Sequence, residues 1–196
     1  NENSYGCSPR LPEAYSHQIE TSIYPDSTQT LLRAALSDYS GVAPEHIVAG
    51  SGSDQLIDTM MRLFLEPGDE VINIVPTFAM FQFFTLLNAG KVVEVERDAE
   101  FRVDVDAIKA AITPRTKLIL LATPNNPTGT ITPREDILKI LDLGLPTLVD
   151  EAYYEFTGDT LADMVGKIPN LMVLRTFSKW AGLAGLRIGY GVFPDW

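Results

Sequence analysis

Short apolar runs alternate with segments of helical periodicity from about residue 45 onward. The run 117–122 (KLILLA) is apolar at consecutive positions, as in parallel strands buried on both faces. After the first run, Leu56, Met60 and Phe64 recur at helical spacing. The pattern predicts an α/β fold with a mainly parallel seven-stranded sheet and helices on both faces. The predicted strands span 46–50, 70–75, 91–96, 117–122, 146–150, 171–176 and 187–193.

Residues 1–28 lack this alternation and contain Pro9, Pro12 and Pro25. Proline fixes φ and removes an amide donor, so it disfavours regular structure. We therefore predict an extended N-terminal arm over residues 1–28 that lies against another part of the structure. Residues 29–196 are predicted to form the ligand-binding domain.

Composition narrows the class of protein. The net charge of −11 leaves no basic stripe for nucleic acid phosphates. The most apolar stretch, 71–89, contains proline and polar residues, so no membrane segment is predicted. The opening NENSYG is unlike a secretory signal, and the lone Cys7 cannot form an internal disulfide. We expect a cytoplasmic protein with no nucleic acid or membrane partner.

Polar and ionisable residues follow the predicted strands. Ligands in open α/β sheets bind at the carboxyl ends of the strands, so these segments predict a binding site. The segments are GSGSD (50–54), PTF (76–78), PNNPTG (124–129), DEAYYEF (150–156) and FSKWAGLAGLR (177–187).

The first and third of these segments each allow more than one interpretation. GSGSD suits an anion at a helix N-terminus, but a plain capped turn or a nucleotide-binding turn has a similar pattern. The nucleotide alternative is disfavoured because Gln55 stands where a third glycine is expected. In PNNPTG, Asn126 could direct its amide at a ring oxygen of a ligand or only cap its own loop.

Three ionisable residues carry the strongest signal. Asp150 ends an apolar strand, and a buried carboxylate is costly unless a cation or donor faces it; a helix-capping role is the alternative. Lys179 is the one lysine of six that closely follows a buried strand, where a desolvated amine can attack aldehydes. Arg187 can bind a phosphate through two N–H groups.

Together, in this order and spacing, the motifs resemble those of fold-type I pyridoxal-5'-phosphate (PLP) aminotransferases. The segments NENSYG (1–6) and YPD (24–26) also resemble the histidinol-phosphate aminotransferase branch. The resemblance covers the whole chain. It implies that residues 29–196 are the large, PLP-binding domain of a homodimeric enzyme.

The resemblance implies a role for each motif residue. Lys179 would carry PLP and move the substrate proton, Asp150 would pair with the pyridine nitrogen, and Asn126 and Tyr153 would bind the ring hydroxyl oxygen. Phe78 would stack on the ring. Ser53, Asp54, Thr176, Ser178 and Arg187 would hold the phosphate. Tyr24 would reach the cofactor of the partner subunit, while Asn3 and Tyr5 would lie by the substrate entrance.

The implied reaction is transamination between L-histidinol phosphate, a small-molecule amino donor, and the 2-oxo acid 2-oxoglutarate. Aromatic amino acid transamination, decarboxylation of an amino-acid phosphate and a non-catalytic regulatory module are the alternatives. Ser4 replaces the usual proline of the opening motif, and Trp180 is bulkier than the residue expected after the lysine. A small C-terminal domain with an arginine for the substrate carboxylate is expected outside this chain, which alone should have little activity.

Overall fold

The computed structural model describes residues 2–15 and 22–195. They contain seven strands and six α-helices, linked in part by short 3-10 turns. The strands are β1 (Ile47–Ser51), β2 (Glu70–Val75), β3 (Lys91–Glu96), β4 (Thr116–Ala122), β5 (Thr147–Asp150), β6 (Leu171–Thr176) and β7 (Ile188–Val192). The helices are α1 (Leu11–Tyr15), α2 (Thr30–Ser40), α3 (Gly52–Phe64), α4 (Ala79–Leu87), α5 (Val105–Ala111) and α6 (Arg134–Leu141).

All seven strands form one sheet in the order β1-β7-β6-β5-β4-β2-β3. The strand pairs from β6 to β3 are parallel, whereas β7 runs antiparallel to both β6 and β1. The predicted mainly parallel seven-stranded sheet is confirmed. Each predicted strand end lies within one residue of the observed one.

The antiparallel strand β7 determines where the polar residues meet. Thr176 at the end of β6 pairs with Gly189, and Ser51 at the end of β1 pairs with Ile188. The start of β7 therefore lies at the same sheet edge as the carboxyl ends of its neighbours. Residue 187, which precedes β7, is brought to that edge as a result.

Alternating side chains of the buried strands build a core on each face of the sheet. On one face Leu118 and Leu120 pack with Ile57 and Met61 of α3 and with Phe81 of α4. On the opposite face the sheet packs against α2, α5 and α6 through Leu36, Ile108, Ile137 and Ile140. The prediction of helices on both faces is therefore confirmed.

The helix ends follow from local sequence. The side chain of Asp104 accepts a hydrogen bond from the Ala107 amide at the start of α5 (2.9 Å). Glu135 and Asp136 stand in the first turn of α6 and Lys139 in the last, as the helix dipole favours. Gly41 ends α2 with φ 72°, a conformation that glycine adopts without steric cost.

The N-terminal segment differs from the extended arm that the prolines predict. A turn closes at Gly6, whose amide bonds the Asn3 carbonyl (3.2 Å), and Leu11–Tyr15 form the short helix α1. Both Pro9 and Pro12 fit this arrangement, because proline is tolerated in turns and in the first turn of a helix. The division of the chain into residues 1–28 and 29–196 stays a prediction.

No helix in residues 2–15 and 22–195 is long and apolar enough to cross a membrane.

Candidate active site

A cavity of about 260 Å³ opens at the carboxyl edge of the sheet. Its walls come from the first turn of α3, the segment before α4 and the loops after β4, β5 and β6. The cavity brings together most of the predicted site residues. Those that line it are Ser53, Asp54, Phe78, Asn126, Asp150, Tyr153, Thr176, Ser178, Lys179 and Arg187.

Asp150 lines this cavity and is only 5% exposed. The structure gives its Oδ1 atom a hydrogen bond from the amide of Ala152 (2.9 Å). Burial raises the pKa of the Asp150 carboxyl to about 6, and the charges of Asp54 and Glu151 add to the rise, while the Ala152 amide and Lys179 oppose it. The carboxylate is therefore held in a place that favours a cationic or proton-donating ligand.

Lys179 lies in the loop that follows β6 and lines the same cavity. Its Nζ atom is 6.0 Å from the centre of the Tyr153 ring. Burial, followed by the charge of Asp150, raises the pKa of the Tyr153 hydroxyl. Tyr153 therefore stays protonated in this site and is able to donate a hydrogen bond to an anionic oxygen.

Anion-binding groups gather on one side of the cavity, at the start of α3. The Ser51 side chain makes no capping hydrogen bond, and the first amides of a helix have no partner within it, so those at Ser53 and Asp54 are available to an anion. The Arg187 guanidinium lies beside them and donates to Asp54 Oδ2 (3.2 Å). Helix dipole, amides and guanidinium together suit a phosphate.

Together with two hydroxyl groups, these amides and the Arg187 guanidinium form an anion-binding cradle. Thr176 Oγ1 donates to Ser178 Oγ (3.0 Å) and accepts from the Ser178 amide (3.1 Å), which fixes the turn between β6 and Lys179. Both residues are buried yet line the cavity. At the next strand, a Cβ atom on Gly189 would overlap the Ser53 amide nitrogen, so only glycine lets β7 pack this closely against the cradle.

The two asparagines of the loop after β4 have different surroundings. Asn125 is buried and bonds the Pro76 carbonyl (3.0 Å), Thr128 Oγ1 (2.8 Å) and Thr77 Oγ1 (3.0 Å), so it fixes the loop itself. Asn126 is half-buried and lines the cavity. The side-chain bonds that fix this loop come from Asn125, and the role of Asn126 towards a ligand stays a prediction.

The sequence matches the family of class I and II aminotransferases over residues 1–196. The chain belongs to this family. A histidinol-phosphate aminotransferase of Dehalococcoides mccartyi is 62% identical over 194 residues, which are 99% of this chain and 54% of that protein. The chloroplastic enzyme of the same name from Nicotiana tabacum is 47% identical over 196 residues, 99% of this chain and 48% of that protein. The chain spans about half the length of these relatives.

Solved structures of aminotransferases share the fold. A crystal structure of histidinol-phosphate aminotransferase from Sinorhizobium meliloti, in complex with pyridoxal-5'-phosphate, superposes with a TM-score of 0.90 at 30% identity. The match covers 99% of this chain and 55% of the Sinorhizobium meliloti chain. An aspartate aminotransferase of Thermus thermophilus gives a TM-score of 0.89 at 25% identity, over 99% of this chain and 58% of that one.

Three predicted residues lie outside the cavity of this aminotransferase chain. The Asn3 side chain binds the carbonyl oxygens of Lys179 (3.1 Å) and Trp180 (3.2 Å) instead. Tyr5 is 99% exposed and Tyr24 is 97% exposed. Their predicted roles at the substrate entrance and at a partner's cofactor stay predictions.

Sequence reasoning missed Glu2, which lines the cavity together with small residues at 122, 152 and 184. It also missed a buried ion pair between Glu151 and Arg175, directly behind the site, in which both side chains are 2% exposed. The signal for the pair was present, since an arginine inside an apolar strand needs a buried partner. Nothing in the pattern of residues 1–6 indicated that Glu2 reaches the cavity.

Proposed function

We propose that the full-length protein containing this chain is a PLP-dependent aminotransferase that transfers the amino group of L-histidinol phosphate to 2-oxoglutarate. The observation that carries the proposal is the meeting of Asp150, Lys179 and the cradle at Arg187 in one cavity. An acid, an amine and an anion site in such proximity match the three polar ends of PLP. The relatives named above support the choice of substrates.

The residues present fit this cofactor. Asp150 has a pKa raised to about 6 by burial, which a protonated ring nitrogen beside it would reverse. A glycine with φ 73° at position 52 leaves room for the Arg187 guanidinium, since a Cβ there would stand 2.5 Å from Nη2. The buried Asp150 carboxylate is costly for the protein alone and is explained by a ligand with a cationic ring nitrogen, while the space that Gly52 leaves for Arg187 suits the phosphate of the same ligand.

Each side chain then has a task. Ser53, Asp54, Thr176, Ser178 and Arg187 would bind the phosphate, with Ser53 and Asp54 acting through their amides. Asp150 would keep the ring nitrogen protonated. Asn126 and Tyr153 would bind the ring hydroxyl oxygen, and Phe78, held edge-on to Phe81 with ring centres 5.7 Å apart, would stack on the ring.

Lys179 would attach the cofactor covalently and would transfer the proton of the substrate α-carbon. PLP, when bound, supplies an electron sink that stabilises negative charge on the substrate α-carbon. The Nζ atom of Lys179 would accept the proton from the α-carbon of the amino donor and would deliver it to the C4' carbon of the cofactor. Such positioned general acid–base catalysis contributes about 10²- to 10⁴-fold to rate.

The proposal extends to assembly and location. We propose a cytoplasmic homodimer in which Tyr24 of one subunit reaches the cofactor phosphate of the other, and Asn3 and Tyr5 stand near the entering substrate. The near-complete exposure of Tyr5 and Tyr24 supports this, because large aromatic side chains on a protein surface often mark contacts with another chain.

The test is turnover by the full-length protein with histidinol phosphate and 2-oxoglutarate, followed as glutamate formation. The proposal predicts turnover with this pair that exceeds turnover with phenylalanine as donor. It also predicts no release of carbon dioxide from an amino-acid phosphate. Absence of glutamate, or a preference for phenylalanine, would contradict the choice of donor.

A further inference from the structure

The Glu2 side chain lines the cavity but has no role in the proposed binding of the cofactor. The charged residues that line the cavity are Glu2, Asp54, Asp150, Lys179 and Arg187. Asp150, Lys179 and Arg187 are accounted for by the ring nitrogen, the covalent attachment and the phosphate, and the Asp54 carboxylate is paired with the Arg187 guanidinium (3.2 Å). Glu2 is left as a carboxylate at the cavity wall, where an incoming substrate would pass it.

The N-terminal segment is docked against the loop that carries Lys179, which explains how Glu2 comes to be there. The Asn3 carboxamide donates to the carbonyls of Lys179 (3.1 Å) and Trp180 (3.2 Å). Its Oδ1 atom accepts from the Tyr5 amide (3.0 Å), so the same side chain also fixes the turn that follows. Glu2, one residue earlier, is therefore held at the wall of the cavity that Lys179 also lines.

A glycine makes this docking possible. Gly182 has φ 66°, and a Cβ atom there would overlap the Gly6 carbonyl oxygen. Only glycine at position 182 allows the backbone of the arm to approach the loop so closely. Two independent features, the Asn3 bonds and the small residue at 182, thus place the arm at the cavity.

The chemistry of a carboxylate at this position is selective. It attracts cations and N–H donors, and it repels anions. Both proposed substrates are anionic, since histidinol phosphate carries a phosphate and 2-oxoglutarate two carboxylates. Only histidinol phosphate also carries an imidazole ring, whose N–H group can donate to a carboxylate. We propose that Glu2 determines donor specificity by accepting a hydrogen bond from the imidazole ring of the amino donor. This inference rests on the proposed function.

The experiment compares two donors that differ only in the ring, L-histidinol phosphate and L-phenylalaninol phosphate. Glu2→Gln in the full-length holoenzyme should lower the affinity for histidinol phosphate about tenfold, the magnitude of one charge-assisted hydrogen bond. Affinity for the phenyl compound should stay within about twofold. Dissociation constants come from titrating the absorbance of the bound cofactor, and kcat/KM should follow them.

Two further variants separate specificity from structure. Glu66→Gln removes an exposed carboxylate outside the cavity and should change neither affinity. Glu2→Lys should weaken histidinol phosphate binding further and leave the half-reaction with 2-oxoglutarate unimpaired or faster. Because Glu2 is exposed, neither change at this position should prevent folding.

The outcomes distinguish the two claims. Equal loss of both donors in Glu2→Gln, or no loss of either, would overturn the role of Glu2 while leaving the proposed function intact. Failure of the wild-type holoenzyme to use histidinol phosphate would overturn the proposed function, and this inference with it.

Discussion

The ends of β5 and β6 present two kinds of buried charge on opposite sides of the sheet. Asp150 and Thr176 line the cavity, whereas their neighbours in sequence, Glu151 and Arg175, lie behind it. Glu151 accepts hydrogen bonds from Arg175 Nε (3.1 Å) and Nη2 (3.0 Å), from the Thr160 hydroxyl (2.7 Å) and from an amide. Asp150 accepts a hydrogen bond from the Ala152 amide, and its pKa is still raised to about 6.

This difference separates a structural charge from the charge that we propose binds the cofactor. The Glu151–Arg175 pair is satisfied within the chain, with Arg175 also bonding the Tyr190 hydroxyl (3.1 Å) and lying 3.5 Å from the centre of the Tyr154 ring. It ties together the two strand ends that carry the site. Asp150 is buried at a cost that a ligand would offset, as expected of a group retained for binding or catalysis.

Breaking the structural pair should have the largest effect. Arg175→Met leaves the Glu151 carboxylate buried without its cation and should lower the free energy of unfolding by roughly 3–5 kcal/mol. The double variant Arg175→Met/Glu151→Leu should recover most of that loss, because no buried charge is then unpaired. Urea unfolding of the full-length apo protein measures both. A loss below 1 kcal/mol in the single variant would show that the pair is unimportant.

Removing the Asp150 carboxylate should instead stabilise the apo protein. The apo protein binds a proton at Asp150 more tightly when folded (pKa about 6) than when unfolded (3.8), so stability falls as pH rises from about 4 to about 6. Asp150→Asn should therefore stabilise the apo protein by about 2 kcal/mol at pH 7 and by little near pH 4. The variant should also bind PLP poorly.

Urea unfolding midpoints of apo Asp150→Asn across this pH range provide the measurement. Asp142→Asn, at an exposed position, is the control and should leave the midpoint unchanged. An Asp150→Asn variant that is less stable than wild type at pH 7 would contradict the distinction between the two carboxylates.

A smaller effect is expected at the phosphate cradle. Gly52 and Gly41 have nearly the same backbone, with φ 73° and 72°, but a Cβ on Gly52 would stand 2.5 Å from Arg187 Nη2, whereas one on Gly41 would meet nothing within 4 Å. Alanine at either position should cost about 1–2 kcal/mol of backbone strain. Only Gly52→Ala should also displace the Arg187 guanidinium.

The affinity of the full-length apo protein for PLP, measured by absorbance titration, should therefore fall about tenfold in Gly52→Ala, the loss of one weak ionic contact. In Gly41→Ala it should be unchanged. Equal affinities in the two variants would show that Arg187 does not hold the phosphate.

Much of the fold could be predicted because the strands are short apolar runs with clear ends. The apolar runs, of which 117–122 is the clearest, and the polar segments after five of them were enough to indicate a sheet with a site at one edge. Asp150 and Lys179 could be singled out for the same reason, since an ionisable residue next to a buried strand is conspicuous.

The rest depends on three-dimensional pairing that no local pattern encodes. Arg187 precedes its strand, and it reaches the site only because β7 is antiparallel. The position of Glu2 depends on contacts that Asn3 and Gly6 make with residues more than 170 positions away. The helix at Leu11–Tyr15 was masked by the prolines around it.

The most direct measurement is reductive trapping of the cofactor in the full-length protein. Borohydride treatment after incubation with PLP, followed by peptide mass spectrometry, should place the phosphopyridoxyl label on Lys179. Lys167→Ala, which changes an exposed lysine, should keep the label, and Lys179→Ala should lose it. A label on another lysine, or one that persists at full yield in Lys179→Ala, would contradict the assignment of the cavity as a PLP site built around Lys179.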